Sequence, residues 1–306
     1  MPIILLKNTV SRRNQVVKVL ILGLDGLDYD CVNRWNINEF KQKYFGKHLV
    51  NMLSHLYTPL IWGSFLIGGN VEDYGYDLKR LREKRALDGS HPLLRPLYKL
   101  RLKLFPNRKI GLRELLVRKG LAEKYPPSIM PKRLLKKTFL EVLKMNGYKV
   151  SAIEVPAYNE VKNEYFRCTF SKYLSKPLKS KIDYVEGCLS DVQDRVNKAM
   201  KFVFENYDVI FMYSHLPDIA HHLFFRNIIE TKMLHDIYLR LKEITLPLIE
   251  ESYSRDYAVL IISDHGFDVK KHYHSNYGFW SLNVEPPYEP KYITDFFKII
   301  MSLVEL

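Results

Sequence analysis

Four short runs rich in β-branched and other apolar residues punctuate the chain: 16–24 (VVKVLILGL), 148–155 (YKVSAIEV), 207–213 (YDVIFMY) and 257–263 (YAVLIIS). Most are continuous rather than alternating, which fits strands covered on both faces, as in a parallel sheet. The stretches between them read as helices. Residues 132–145 carry apolar side chains at helical spacing and stop at Asn146-Gly147, a C-terminal stop signal. Residues 190–206 and 229–253 read as longer amphipathic helices. Strand and helix in alternation predict one α/β domain over 1–306, a doubly wound, mostly parallel sheet with helices on both faces and right-handed crossovers. No internal repeat is visible.

One segment does not follow this rhythm. Residues 79–137 are poorly periodic and interrupted by Pro92, Pro96, Pro106, Pro126, Pro127 and Pro131. Residues 97–105 (LYKLRLKLF) alternate apolar and basic positions, so strand and helix both remain open. We read the segment as a small cap-like insertion within the domain, not as a second independent domain.

Charge sharpens that reading. The 306 residues include 47 Lys+Arg and 34 Asp+Glu, for a net charge of +13. The insertion alone holds 19 basic and 4 acidic residues, which leaves a net of −2 for the rest. The protein is a near-neutral body with one basic segment, and a clustered positive charge points to an anionic partner. The segment's aromatics are few (Tyr98, Phe105, Tyr125), which weakens single-strand stacking. An anionic membrane surface and a merely solvated basic face are the alternatives. The apolar runs are too short to span a bilayer. Cys31, Cys168 and Cys188 are odd in number and widely spaced, which argues against a disulfide scaffold or a zinc ribbon. The first fifteen residues lack the order of a secretory signal. A cytoplasmic location is expected.

The chemistry clusters where three of the four strands end. The first runs into Asp25-Gly26, the third into His215 and Asp218 with His221 and His222, and the fourth into Asp264-His265 with His272 and His274. In open α/β sheets the ligand crevice lies at the carboxyl ends of strands. Taken singly, each residue reads as an ordinary turn, N-cap or solvated loop residue. Together, three carboxylates and several imidazoles at one edge would repel if buried and empty, and a divalent cation relieves that repulsion. Imidazole and carboxylate ligands suit zinc first, with manganese or iron as alternatives. Thr58 precedes Pro59 at the start of a predicted helix. Alone it reads as a Thr N-cap; beside metals it is a candidate nucleophile.

These motifs, in this order, resemble the alkaline phosphatase superfamily, and within it the type I phosphodiesterase/nucleotide pyrophosphatase branch. The resemblance covers most of the chain outside the insertion. It is carried by Gly23-Leu24-Asp25-Gly26, the segment from Thr58 to Gly68, Asp218 to His222, Asp264-His265-Gly266, and His274 followed by Tyr277-Gly278-Phe279. The resemblance implies an alkaline phosphatase-like core and two divalent metal ions, most often zinc. It implies that Asp218, His222 and His274 hold one ion, that Asp25, Asp264 and His265 hold the other, and that Thr58 reaches both. It implies a hydrolase that cleaves phosphodiester or nucleotide pyrophosphate bonds through a phosphothreonine-type intermediate that water then hydrolyses. A phosphomonoesterase or sulfatase would use the same site. A nucleic-acid or membrane-binding protein with a silent site is the reading from another class. The expected partner is an anionic phosphoester, such as a nucleotide or nucleic-acid end, with the insertion setting substrate choice.

The sequence also departs from the family pattern. Leu60 and Ile67 stand where the pattern has Pro and Thr, and no counterpart is visible for the Asn that holds a phosphate oxygen in the eukaryotic relatives. The substrate-binding residues are therefore unknown at this point. His221 and His272 rank behind the chosen ligands, as exposed groups or groups behind the cluster, and His215 is read as structural or as lining the site.

Overall fold

The computed structural model describes residues 17–81, 127–224 and 227–304, together with positions 96 and 100. The cap-like reading of 79–137 falls mostly outside the described residues. Its two flanks are described, and they are stitched together: the Tyr76 hydroxyl donates to the Ser128 carbonyl, and Leu81 is buried.

Six strands form the main sheet: β1 (Lys18–Leu24), β2 (Tyr44–Leu49), β3 (Val150–Ile153), β4 (Val209–Ser214), β5 (Tyr257–Ile262) and β8 (Tyr277–Leu282). Two-residue strands β6 (Phe267–Asp268) and β7 (Tyr273–His274) pair separately as a small hairpin. The order in the main sheet is β2-β8-β5-β1-β4-β3. The pairings β5-β1, β1-β4 and β4-β3 are parallel, and β8 runs antiparallel to both of its neighbours. All four predicted strands are present. The two strands not predicted are β2 and β8, at the end of the sheet. β2 interleaves exposed and half-buried positions, so it offers no continuous apolar run to the eye.

The sheet is covered on both faces, as a doubly wound fold requires. Successive β1 side chains alternate between two cores. Leu20, Leu22 and Leu24 pack with the long helices Leu178–Phe204 and Ile228–Ser254, whereas Val19 and Ile21 pack with helices Thr58–Ile67, Phe139–Met145 and Asp295–Leu303. That alternation is the period-two geometry of a strand with two dry faces. Helix Thr58–Ile67 is apolar along its whole length, and Thr58 to Leu66 are all buried. It is wedged between the sheet and helix Asp295–Leu303, whose Phe296 ring packs against Phe65.

Two predicted helices differ in extent. The helix read over 190–206 begins at Leu178 and runs unbroken to Phe204. Gly187 reads as a breaker in sequence, but it lies on the exposed side, while Tyr184, Val185, Cys188, Val192, Val196 and Val203 continue one buried stripe. The helix read over 132–145 is two helices, Lys132–Leu135 and Phe139–Met145. Thr138 starts the second by accepting the Glu141 backbone N–H at 3.3 Å, so a cap interrupts what periodicity joined. No described helix is long and apolar enough to cross a membrane. The three cysteines are free thiols.

Candidate metal centre

Strands β5, β1 and β4 are adjacent, so the loops that follow them meet. Asp25 follows β1, helix Asp218–Phe224 follows β4, and Asp264 and His265 follow β5. The first two loops interlock: Asp25 N–H donates to the Ser214 carbonyl at 2.9 Å, and Asp218 N–H donates to the Asp25 carbonyl at 2.8 Å. This close approach needs Gly26. Its φ is +69°, and a Cβ there would lie 2.8 Å from the Asp218 Cα. His274 arrives on the β6–β7 hairpin, and its Nδ1–H donates to the Leu56 carbonyl at 3.0 Å. That bond ties the hairpin to the segment carrying Thr58.

The residues predicted as ligands converge. His265 Nε2 lies 3.2 Å from Asp25 Oδ1 and 3.5 Å from Asp264 Oδ2. Asp218 Oδ1 lies 3.4 Å from His222 Nε2 and 3.5 Å from His274 Nε2, and the two imidazole nitrogens are 3.2 Å apart. The division into two separate trios is less clean than the family pattern implies. His265 stacks on His274 with ring centroids 3.6 Å apart, and ligand atoms of Asp218, His265 and His274 also lie within 4.8 Å of one another. His265 therefore stands between the two groups.

Most of these side chains use one polar atom as an anchor and leave another bare. Asp25 Oδ2 accepts from the Tyr213 hydroxyl, and its Oδ1 has no hydrogen-bond partner. Asp264 Oδ1 accepts from the Gly26 N–H at 3.3 Å, and its Oδ2 has none. His265 Nδ1–H donates to the Gly266 carbonyl at 3.0 Å, and its Nε2 has none. Asp218 Oδ1 is bare as well. A carbonyl only accepts, so His265 and His274 both carry their proton on Nδ1 and turn Nε2 toward the carboxylates. Buried polar atoms are almost always paired, and several bare acceptors facing one another fit a cation. The donor set of carboxylate oxygens and imidazole nitrogens fits divalent zinc, manganese or iron.

The electrostatics say the same. Burial pushes the Asp264 carboxyl well above its ordinary range, and neighbouring Asp25 pushes it further. Burial opposes charge on His265, but Asp264, Asp25 and Asp218 outweigh it and raise its pKa to about 10. Burial and the charge of His265 push His274 down to about 4. The cluster demands positive charge, which either a proton or a metal supplies.

Thr58 is 3 % exposed and is the first residue of its helix, while the N-cap position belongs to Tyr57. The N-cap reading of Thr58 is thereby corrected. One turn into the helix, Trp62 packs edge-on against Tyr213, the residue that holds Asp25. The remaining histidines that the sequence singled out are not among the side chains that converge on the two trios. His221 is buried, hydrogen-bonds the Tyr238 hydroxyl at 2.7 Å and stacks on Phe267. His272 is exposed in the hairpin turn. His215 is buried and stacks on Phe166 with ring centroids 4.1 Å apart. A cavity of about 520 Å³, lined in part by Leu56, Phe267, Tyr273, His274 and Tyr277, opens beside His274.

Sequence reasoning missed two supporting residues. Tyr213 was legible only as a strand residue, and Asp28 only as a turn residue. Asp28 accepts the Cys31 and Phe267 N–H groups at 2.8 and 3.1 Å, so it ties the loop after β1 to the segment that follows His265.

Solved structures share this architecture. A putative sulfatase from Bacteroides thetaiotaomicron aligns with a TM-score of 0.53 at 10% identity, over 95% of this chain and 71% of that one. A 2-O GAG sulfatase aligns with a TM-score of 0.52 at 10% identity, over 95% and 71%. Murine ectonucleotide pyrophosphatase/phosphodiesterase 5, in an inactive form with AMP, aligns with a TM-score of 0.42 at 14% identity, over 82% of this chain. The chain spans only 57% of that enzyme's length. Neither a family model nor a curated protein matches the sequence. The chain shares the α/β fold of the two sulfatase structures.

Proposed function

We propose that the chain is a metal-dependent hydrolase that cleaves phosphodiester bonds, including those of nucleotides, with Thr58 as nucleophile. The observation that carries this reading is the set of bare, mutually facing atoms of Asp25, Asp218, Asp264 and His265, buried at the strand ends near Thr58. Asp218, His222 and His274 would hold one divalent ion, and Asp25, Asp264 and His265 a second, zinc being the first choice. Bound ions of this kind supply Lewis acidity, which neutralises charge on the phosphoryl oxygens and acidifies a neighbouring hydroxyl.

The protein's own residues do the rest. The N-terminal end of helix Thr58–Ile67 presents its partial positive charge to an incoming anion. Burial of Thr58 excludes bulk water from the hydroxyl during attack. Its oxygen attacks phosphorus, the ester alcohol departs, and water later releases the phosphoryl group from Thr58. Tyr213, Gly266 and Leu56 fix the orientation of Asp25, His265 and His274 through the hydrogen bonds described above. The basic insertion 79–137 screens what reaches the site, and a cytoplasmic setting completes the reading.

Elemental analysis of protein purified without chelator, followed by parallel assays on p-nitrophenyl phosphate, bis-p-nitrophenyl phosphate and p-nitrophenyl sulfate, tests the reading. Bound divalent metal is expected, with the diester turned over fastest. Thr58→Ala is expected to lower turnover by roughly 10³-fold or more with metal retained. Absence of metal overturns the hydrolase reading. Faster cleavage of the monoester or the sulfate overturns the diester assignment.

A further inference from the structure

Beyond the metal-centre cluster, Arg167 is the charged side chain with two buried nitrogens lacking a hydrogen-bond partner among the described residues. Arg167 lies on helix Asn163–Thr169, and its side chain is 12% exposed. Its Nη2 donates to Glu160 at 2.5 Å and to Glu164 at 3.1 Å. Its Nε and Nη1 are buried and have no partner. Arginine does not shed its proton to escape burial, so its unpaired donors remain costly.

The surroundings of Arg167 place it against the proposed centre. On its own helix, Phe166 stacks on His215. One turn later, Phe170 stacks on His222 with centroids 5.2 Å apart. Tyr57, immediately before Thr58, and Tyr213, which holds Asp25, both lie within electrostatic reach of the guanidinium. Glu160 is itself anchored, since it accepts the Ser128 N–H at 3.2 Å. The glutamate pair fixes Nη2 and thereby the plane of the guanidinium. It also offsets the net charge, so what Arg167 offers an anion is directed N–H groups rather than a long-range field.

We propose that Arg167, through Nη1, binds a non-bridging oxygen of the tetrahedral oxyanion that is attacked at Thr58. The assignment rests on the hydrolase reading above and names the substrate-binding residue that the sequence did not reveal. Arg167 would hold the phosphoryl group from helix Asn163–Thr169, in the connection that follows the parallel strand β3.

Calorimetric titration of zinc-loaded protein with inorganic phosphate, and separately with sulfate, tests this. Arg167→Lys keeps the charge but loses the fixed fork, and its dissociation constant for the oxyanion should rise about tenfold or more. Arg167→Met in the background Glu160→Gln/Glu164→Gln removes the charge without stranding two carboxylates. Compared with that background alone, it should show the same loss. Zinc content should not change in either variant. An affinity within twofold of the control, with only the unfolding midpoint lowered, overturns the proposal and makes Arg167 a structural ion pair. Wild-type protein that binds neither oxyanion overturns both the proposal and the hydrolase reading. Arg167-dependent phosphate binding without ester turnover keeps Arg167 as the oxyanion-binding residue and removes the hydrolase reading, and with it attack by Thr58.

Discussion

Asp25 and Asp28 lie three residues apart in one loop, are buried to almost the same degree (2% and 3% exposed), and do opposite things. Asp28 is fully engaged: each of its oxygens accepts a backbone N–H, from Cys31 and from Phe267. Asp25 is half engaged. Tyr213 holds one oxygen, and the other faces His265 with no hydrogen bond of its own. Burial does not separate a fully paired carboxylate from a half-paired one. The difference is whether the fold supplies every partner or leaves one place open.

That contrast can be broken most directly at Asp25 itself. Asp25→Asn should lower ester turnover by roughly 10³-fold or more. It should also leave the thermal midpoint of metal-free protein close to its original value, because relief of the repulsion between Asp25 and Asp264 offsets the lost attraction to His265. A metal-free midpoint that falls would mean Asp25 is a structural residue like Asp28.

Asp28→Asn should do the reverse. An amide cannot accept at both positions, so one buried N–H loses its partner, and stability should drop by about 3 kcal/mol with or without metal. Chemical denaturation of both forms measures this, and metal stoichiometry should be unchanged. Equal stability of mutant and wild type would erase the distinction between the two residues.

Tyr213→Phe sharpens the comparison by removing the anchor and keeping the ligand. Metal affinity should weaken by about 10- to 100-fold, read by competition with a chromophoric chelator. An unchanged affinity would show that Asp25 is oriented by its backbone alone.

The smallest effect extends the contrast to the imidazoles. His48 is buried, donates from Nε2 to the Ser263 carbonyl at 2.8 Å, and is pushed down to about 4 by burial. His265, equally buried, is held up at about 10 by carboxylates. Because the folded pKa of His48 lies below its ordinary 6.5, the unfolded chain binds a proton that the folded chain refuses. Its stabilising effect is whole above pH 6.5 and is lost as pH falls toward 4. Between pH 6.5 and 5 the loss is up to about 2 kcal/mol. His48→Gln, which keeps the donor, should flatten that part of the stability profile; an unaltered slope would assign acid sensitivity to other groups.

Much of this was legible from sequence because the physics behind it is local. Continuous apolar runs gave β1, β4 and β5, since a strand with two dry faces must be apolar throughout, whereas the edge strand β3 alternates half-buried and buried positions. The meeting of the carboxylates and imidazoles at their ends followed because loops after adjacent parallel strands share one edge. Other features were hidden for equally physical reasons. β2 is an interleaved, partly exposed strand recognised only by its pairing with β8. Helix Leu178–Phe204 tolerates Gly187 because that position faces outward and other residues carry the packing.

The sequence by itself determined the class of fold and the residue types that meet in the buried cluster: which carboxylates and which imidazoles. Those depend on residue type and on order along the chain. Only the tertiary structure decided which atoms are spent and which are left bare. Hydrogen bonds from Tyr213 and Gly26, and one to the Leu56 carbonyl, cross long stretches of chain, so no spacing rule announces them. It likewise singled out Arg167, an ordinary helical arginine in sequence, by burying it with two nitrogens unpaired within electrostatic reach of Tyr57 and Tyr213.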